Sequence, residues 1–241
     1  MKKTRLDGLD IFRGWALLFM VLYHFSYDLN HFQIISININ HSLSFLISRY
    51  SIISMFLLSV GISLALVHQQ GICWESVQKR IFILGLASLV VTLTTYIEFP
   101  TSWIYFGILH FILFSSLLAL PFLNYPKITF ISAVIILIGS MTNVLQVHGV
   151  FAFLQPILNL PPLSSEDVIP LTPWFALVLL GINSVQYNLH QKILTHPFFN
   201  TNFAWNKSLK FIGQHSLLIY LLHQPLLFFA FDVFFSFFSK V

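Results

Sequence analysis

LDIFRGWALLFMVLYHFSYDL, Leu9–Leu29, is apolar enough to cross a bilayer, yet it carries Asp10 and Arg13 at its entrance and His24 and Asp28 near its far end. Ionisable groups are costly in hydrocarbon, so they face a protein interior or a water-filled cavity and mark function. His24 and Asp28 stand four residues apart, which places both on one face of a helix. A carboxylate in that position holds an imidazole in one tautomer and raises its basicity. The stretch therefore reads as a membrane helix of an enzyme or a transporter.

Composition extends that reading to the whole chain. Of 241 residues, 57% are hydrophobic and 8% charged, and the mean hydropathy is +0.83. A soluble chain carries roughly 25% charged residues. So little charge cannot cover a water-facing surface, and 27 Phe would make an aggregating one. The net charge of +4 is informative by position and is not a nucleic-acid signal. The lone Cys73 excludes an intramolecular disulfide and a cysteine-based metal site, and no metal is expected. Met1–Arg5 resembles the basic start of a leader, but Asp7, Asp10 and Arg13 follow and no small-residue cleavage site ends the apolar run. The first helix is read as a retained signal anchor.

A bilayer asks for about 20 apolar residues per helix, and this predicts an all-α polytopic bundle of about seven transmembrane helices. The spans are placed at Ile11–Asp28, Ser44–Val67, Val77–Phe99, Trp103–Leu123, Ile128–Gln146, Val168–Tyr187 and His215–Phe238. Phe151–Leu160, broken by Pro156, reads as an interfacial or re-entrant piece, and Asn206–Gln214 as a short amphipathic entry to the last helix. Lys2, Lys3 and Arg5, then Lys79 and Arg80, then Lys127, then Lys192, Lys207 and Lys210 fall on one set of connections. The alternate loops, Leu29–Leu43, Pro100–Ser102 and Val147–Asp167, have no Lys or Arg. Positive-inside bias thus puts the N-terminus in the cytoplasm and the C-terminus outside, with terminal Lys240 the exception. No repeat or soluble insertion appears, so residues 1–241 read as a single membrane domain.

Helical rise converts position into depth. His24, Asp28, Arg49, Glu98, His110, Asp167, His223 and Asp232 fall in the outer leaflet or near the midplane. Arg13, Lys79, Arg80, Lys127, Lys192, Lys207 and Lys210 fall on the cytoplasmic side. The division suggests an external reaction chamber above an internal mouth suited to a polyanion. Each residue also has a plainer reading. Arg49 can snorkel to the interface, His110 can bond a neighbouring carbonyl, and the lysines can serve topology alone. Trp103, Trp174 and Trp205 can act as interfacial anchors.

In this order the residues make a pattern. Leu9-Asp10-Ile11-Phe12-Arg13-Gly14 is followed by Met20, His24 and Asp28, then by Phe56 with Ser59–Leu64 and by Phe106-Gly107-Ile108-Leu109-His110. Pro173-Trp174-Phe175 with Leu180-Gly181 comes next, and Gly213–Pro225, ending in His223-Gln224-Pro225, is the most specific block. The chain resembles the membrane acyltransferases related to heparan-α-glucosaminide N-acetyltransferase, and in particular their small bacterial relatives, the DUF1624 group. The resemblance implies transfer of an acyl group, acetyl in the lysosomal relatives, from cytosolic acetyl-CoA to an amino or hydroxyl group of an extracytoplasmic glycan. It implies a bacterial inner-membrane location. The expected partners are membrane lipid, acyl-CoA and the glycan acceptor, with a second copy of the chain as a further candidate and no nucleic acid. Larger members have more spans, so this chain resembles a minimal core. The family's catalytic histidine follows the first span, and His24, His31 and His41 are all candidates for it.

Thioester acyl transfer needs a base for the nucleophile and donors for the developing oxyanion. His24 oriented by Asp28 suits the first role, and Arg49 or His110 the second. Glu98, Asp167, Trp174, His223 and Gln224 are candidates for acceptor binding. Arg13, Lys79, Arg80, Lys207 and Lys210 are candidates for the CoA phosphates. Pro225 frees a backbone carbonyl near Leu221, as is tolerated where a helix lines a cavity. The rival class is a small proton-coupled carrier, for which intramembrane His and Asp serve equally well, although the repeats common in carriers are not found. A non-catalytic scaffold would leave the gathered ionisable groups unexplained.

Overall fold

A computed structural model describes residues 6–39, 42–142, 144–145, 153, 155–157, 160–161, 168–199 and 203–238, with side chains through 236. Among them every regular element is helical. Half of the expected interfacial piece Phe151–Leu160, together with Asp167 and His41, lies outside the described residues.

The first helix, α1, runs Asp7–His31, with Asp7 and Asp10 in its first turn, where the helix dipole favours negative charge. Next come α2 (Leu43–Val67) and α3 (Trp74–Glu98). Between them Gly71 takes a left-handed φ of 108°, and the buried His68 accepts the Cys73 N–H through Nδ1 at 3.0 Å. The remaining helices are α4 (Ile108–Leu118), α5 (Pro126–Met141), α6 (Leu171–Gln186), α7 (Leu189–Leu194), α8 (Ala204–Gln214) and α9 (Ser216–Phe238).

Four helices are long and apolar enough to cross a membrane: α1, α2 and α3 with 25 residues each, and α9 with 21 over Ser216–Ser236. The expected spans four to six are realised as shorter apolar helices of 11, 16 and 16 residues. At about 1.5 Å per residue none of these covers the roughly 30 Å hydrocarbon thickness. The cause lies in the flanking backbone. The helix expected from Trp103 starts only after Gly107 and gives way to a 3-10 turn at Leu120–Phe122, around Pro121. Pro126 opens α5, its missing N–H being harmless at a first helical position. Pro170 and the extended Thr172 delay regular α6 geometry to Pro173.

The chain divides into two compact units. The terminal unit comprises Met1–Phe56 and Gln191–Val241, and the middle unit Leu57–His190, so α2 gives its first half to one and its second half to the other. In the terminal unit α8 lies against α1 with almost no side chain between the backbones. A Cβ on Gly213 would fall on the Asp10 carbonyl oxygen and one on Gly14 on the Leu209 carbonyl, while one on Gly8 would fall on the carbonyl of Leu194, the last residue of α7. Lipid gives little hydrophobic drive for helix association, so backbone approach through small residues supplies the van der Waals contact. Beside this seam Leu17, Met20 and Ile52 are buried under Tyr23, Phe56, Ile212, Ile219 and Tyr220.

In the middle unit α2 meets α6 through Gly61 and Gly181, where a Cβ on Gly181 would lie 3.0 Å from the Gly61 Cα. Because Pro126 has no N–H, the Phe122 carbonyl lacks its helical donor. Thr129 Oγ1 (2.7 Å) and Gln186 Nε2 (3.0 Å) donate to it instead, and Asn183 Nδ2 donates to the Pro126 carbonyl at 2.9 Å. Outward faces are apolar, as with Phe82, Leu86, Leu93 and Ile97 on α3, which suits hydrocarbon and not water.

Gly213→Ala should destabilise the protein by about 1–3 kcal/mol through overpacking, even though alanine is the better helix former by about 1 kcal/mol. Thermal unfolding of the detergent-purified protein would show this as a lower midpoint. An unchanged midpoint would refute the α1–α8 seam as a stabilising contact.

Candidate functional site

The terminal unit gathers the polar residues of α1, the first half of α2, and α9. Asp28, one turn beyond His24 on α1, is completely buried. Its Oδ1 accepts a hydrogen bond from Gln224 Nε2 at 2.9 Å, while Oδ2 and Gln224 Oε1 are buried without a partner among the described residues. Asp28 was expected to orient His24; the hydrogen bond its carboxylate makes among the described residues goes to Gln224. The i, i+4 spacing puts both on one face, but the carboxylate turns to α9, where an amide N–H is offered.

His24 faces α9 as well. Its ring lies 4.9 Å, centroid to centroid, from that of His223, the two planes at 61°. Tyr23 stands edge-on to His24 at 5.7 Å, and Tyr220 flanks His223 at 5.6 Å. Arg49 acts electrostatically on His24 and Tyr23, and His31 on Asp28. His223 Nδ1 bonds the Tyr220 carbonyl at 2.5 Å. A carbonyl only accepts, so Nδ1 carries the proton and the neutral ring keeps its lone pair on Nε2. That nitrogen is buried and has no partner among the described residues. Pro225 interrupts α9 two residues later and leaves the Leu221 carbonyl without an i+4 donor.

His110 belongs to the middle unit. The Thr92 hydroxyl donates to the Ile104 carbonyl at 2.9 Å, so it accepts from His110 Nε2–H at 3.1 Å. The lone pair is then on Nδ1, which is buried and unpartnered. A neutral His110 in this tautomer offers an acceptor at Nδ1. Thr92 gave no sequence signal, since it sits 18 residues away on another helix. Glu98 is the exposed last residue of α3, and Trp174 is half-buried in the first turn of α6, both in the middle unit.

The cations expected at the cytoplasmic mouth divide between the units. In the terminal unit Arg13 pairs with Asp10 at 3.3 Å and Lys210 with Asp7 at 2.7 Å, while Lys207 is exposed on α8. Lys79 and Arg80 lie on α3. Phe12, Trp15, Phe19, Met55, Phe198 and Phe199 line an apolar cleft of about 240 Å³, where the Trp15 indole N–H is buried without an acceptor. Trp205 of α8 meets Trp15 edge-on at 5.6 Å. Among the described residues no three His, Cys, Asp or Glu side chains converge as metal ligands.

Such a fold and site define an all-helical integral membrane protein with titratable side chains buried between apolar helices. The family model described as heparan-alpha-glucosaminide N-acetyltransferase, catalytic, matches residues 5–225, and the chain belongs to this family of membrane acetyltransferases. The match contains α1 whole and closes at Pro225, so it covers His24, Asp28, Arg49, His223 and Gln224. No curated protein and no solved structure matches the chain.

Gln224→Leu should cost about 1–3 kcal/mol by stripping the buried Asp28 of the Gln224 donor. Asp28→Leu combined with Gln224→Leu should cost less than the two single changes added together, because no buried oxygen is then left without a donor. A double-mutant cycle on thermal midpoints measures the coupling, and strict additivity would refute it.

Proposed function

We propose that this protein transfers an acyl group, in the first instance acetyl, from cytosolic acyl-CoA to an amino or hydroxyl group of an extracytoplasmic glycan. The observation that carries the reading is the pairing of His24 and His223 at 4.9 Å beside the buried Asp28–Gln224 bond, within the residues the family match covers. A thioester acyl transfer needs a proton acceptor for the nucleophile and positive charge near the acyl oxygen. The histidine pair supplies the first and Arg49 the second; His110 of the middle unit remains a candidate for the chemistry. Gln224, with its free amide oxygen, contributes to holding the acceptor, and Glu98, Asp167 and Trp174 remain candidates for the same task.

The donor side has a matching chemistry. CoA is a polyanion with an amide-rich arm. Lys207 and Lys210 on α8 and Arg13 on α1 offer charge to phosphates, and the aromatic cleft beside them holds one N–H seeking a carbonyl. Asp7 and Asp10 already neutralise part of that charge, so Lys207 is the most available cation of this set. Lys79 and Arg80 of the middle unit remain candidates for the CoA phosphates. The Lys/Arg asymmetry of the loops supports a cytoplasmic N-terminus and seven crossings in a bacterial inner membrane, the three shorter helices crossing together with their non-helical flanks.

Three experiments test this reading. Replacing both His24 and His223 by Ala should cut acetyl transfer by about 10²–10⁴-fold while acetyl-CoA binding by titration calorimetry stays at the wild-type value. Wild-type transfer in that double variant would remove the site. Lys207→Ala and Arg80→Ala should each weaken acetyl-CoA binding by about 1.5–3 kcal/mol, the worth of a charge-assisted hydrogen bond to phosphate, and equal affinities would relocate the donor. For topology, in a Cys73→Ser background, Asn38→Cys should react with an impermeant thiol reagent from outside the cell and Gln191→Cys should not. The reverse pattern inverts the orientation.

A further inference from the structure

We infer that His223 of α9, through Nε2, is the group that accepts the nucleophile's proton in the acyl transfer, and that the Tyr220 carbonyl is what keeps that nitrogen available. The inference rests on the acyl-transfer reading and assigns within it a role that the first helix alone does not reveal.

The two rings of the pair are not equivalent. His223 donates Nδ1–H to a group that can only accept, and this commits its lone pair to Nε2. His24 has no hydrogen bond among the described residues that commits either of its nitrogens, and the carboxylate expected to do so is engaged by Gln224. A general base needs its lone pair in place before the substrate arrives, because proton transfer depends on geometry first. Nε2 of His223 meets that requirement: it is buried, directed by the helix backbone, and unoccupied by any protein donor. Two more buried acceptors without partners, Gln224 Oε1 on the adjacent residue and Asp28 Oδ2 across from it, belong to the same helix pair. Native interiors rarely leave buried polar atoms unpaired. Three acceptors left so on one helix pair fit a ligand that brings N–H or O–H donors, as an amino or hydroxyl nucleophile does.

The step balances without a further reactant. The nucleophile's nitrogen or oxygen attacks the thioester carbonyl, and its proton passes to His223 Nε2. The new C–N or C–O bond forms as the C–S bond breaks, and the imidazolium returns its proton to the departing CoA thiolate. The products are the acylated acceptor and the free thiol. His24, 4.9 Å away, is then a positioning residue that confines the His223 ring.

The test uses full-length protein in proteoliposomes, acetyl-CoA as donor, and either glucosamine or water as acceptor, with protein-dependent release of CoA thiol as the readout. His223→Asn keeps a side-chain N–H able to reach the Tyr220 carbonyl but removes the ring nitrogen. It should lower turnover by about 10²–10⁴-fold with unchanged acetyl-CoA affinity and thermal midpoint. His223→Ala should regain part of the lost rate when imidazole is added, the gain following the neutral form of imidazole as pH rises, whereas His24→Ala should not. A purely structural His223 would show no such rescue. Wild-type turnover in His223→Asn, rescue of His24→Ala in place of His223→Ala, or absence of rescue in both would overturn the assignment. Absence of thiol release by the wild-type protein would instead sink the acyl-transfer reading, and the inference with it.

Discussion

Backbone contact between α1 and α8 is the constraint on which the terminal unit depends. Gly14 lies under the Leu209 carbonyl and Gly213 over that of Asp10, so the two helices meet at a distance that any side chain would prevent. Helices in lipid gain little from apolar burial, and contact of this kind replaces it. Only His215 separates α8 from α9, so docking α8 on the start of α1 commits α9 to run beside its remainder. Ile212, Ile219 and Tyr220 then close over Leu17, Met20 and Ile52. His223 and Gln224 arrive opposite His24 and Asp28 as a consequence.

The site set up in this way is rich in acceptors. Burying a polar atom without a partner costs roughly 1–3 kcal/mol on protein scales, and Asp28 Oδ2, Gln224 Oε1 and His223 Nε2 all stand so. A membrane protein optimised only for packing would fill these positions with leucine. The Asp28–Gln224 bond satisfies one carboxylate oxygen and leaves the other open. The Tyr220 carbonyl satisfies one imidazole nitrogen and leaves the other open. Each half-satisfied group presents an acceptor to whatever brings a donor. His110, held by Thr92 in the middle unit, follows the same logic with the opposite nitrogen.

Much of this was legible in the chain itself. Low charge and long apolar runs, with ionisable residues inside the first of them, specified helices in a membrane, because hydrocarbon admits few alternatives. Four of the glycines at close helix approaches, Gly14, Gly61, Gly181 and Gly213, fall within the blocks that carry the family resemblance, and Gly8 lies just before the first of them. Helix ends were less legible. The stretch from Trp103 looks like a full span by hydropathy, yet Gly107 and Pro121 bound a helix of 11 residues, since hydropathy averages over the residues whose backbone stops the helix.

The sequence by itself determined the solvent, the helical class, the family and the set of chemically active residues, since each follows from composition or from local spacing along the chain. Tertiary structure alone decided the partnerships. Asp28 and Gln224 are 196 residues apart, and nothing in the spacing of His24 and Asp28 tells which way the carboxylate turns. Which imidazole nitrogen keeps its lone pair depended on carbonyls at Tyr220 and Ile104 that any residue type would supply. A hydrogen bond forms with whichever donor or acceptor the packing brings within about 3 Å, and that proximity exists only once the helices have met.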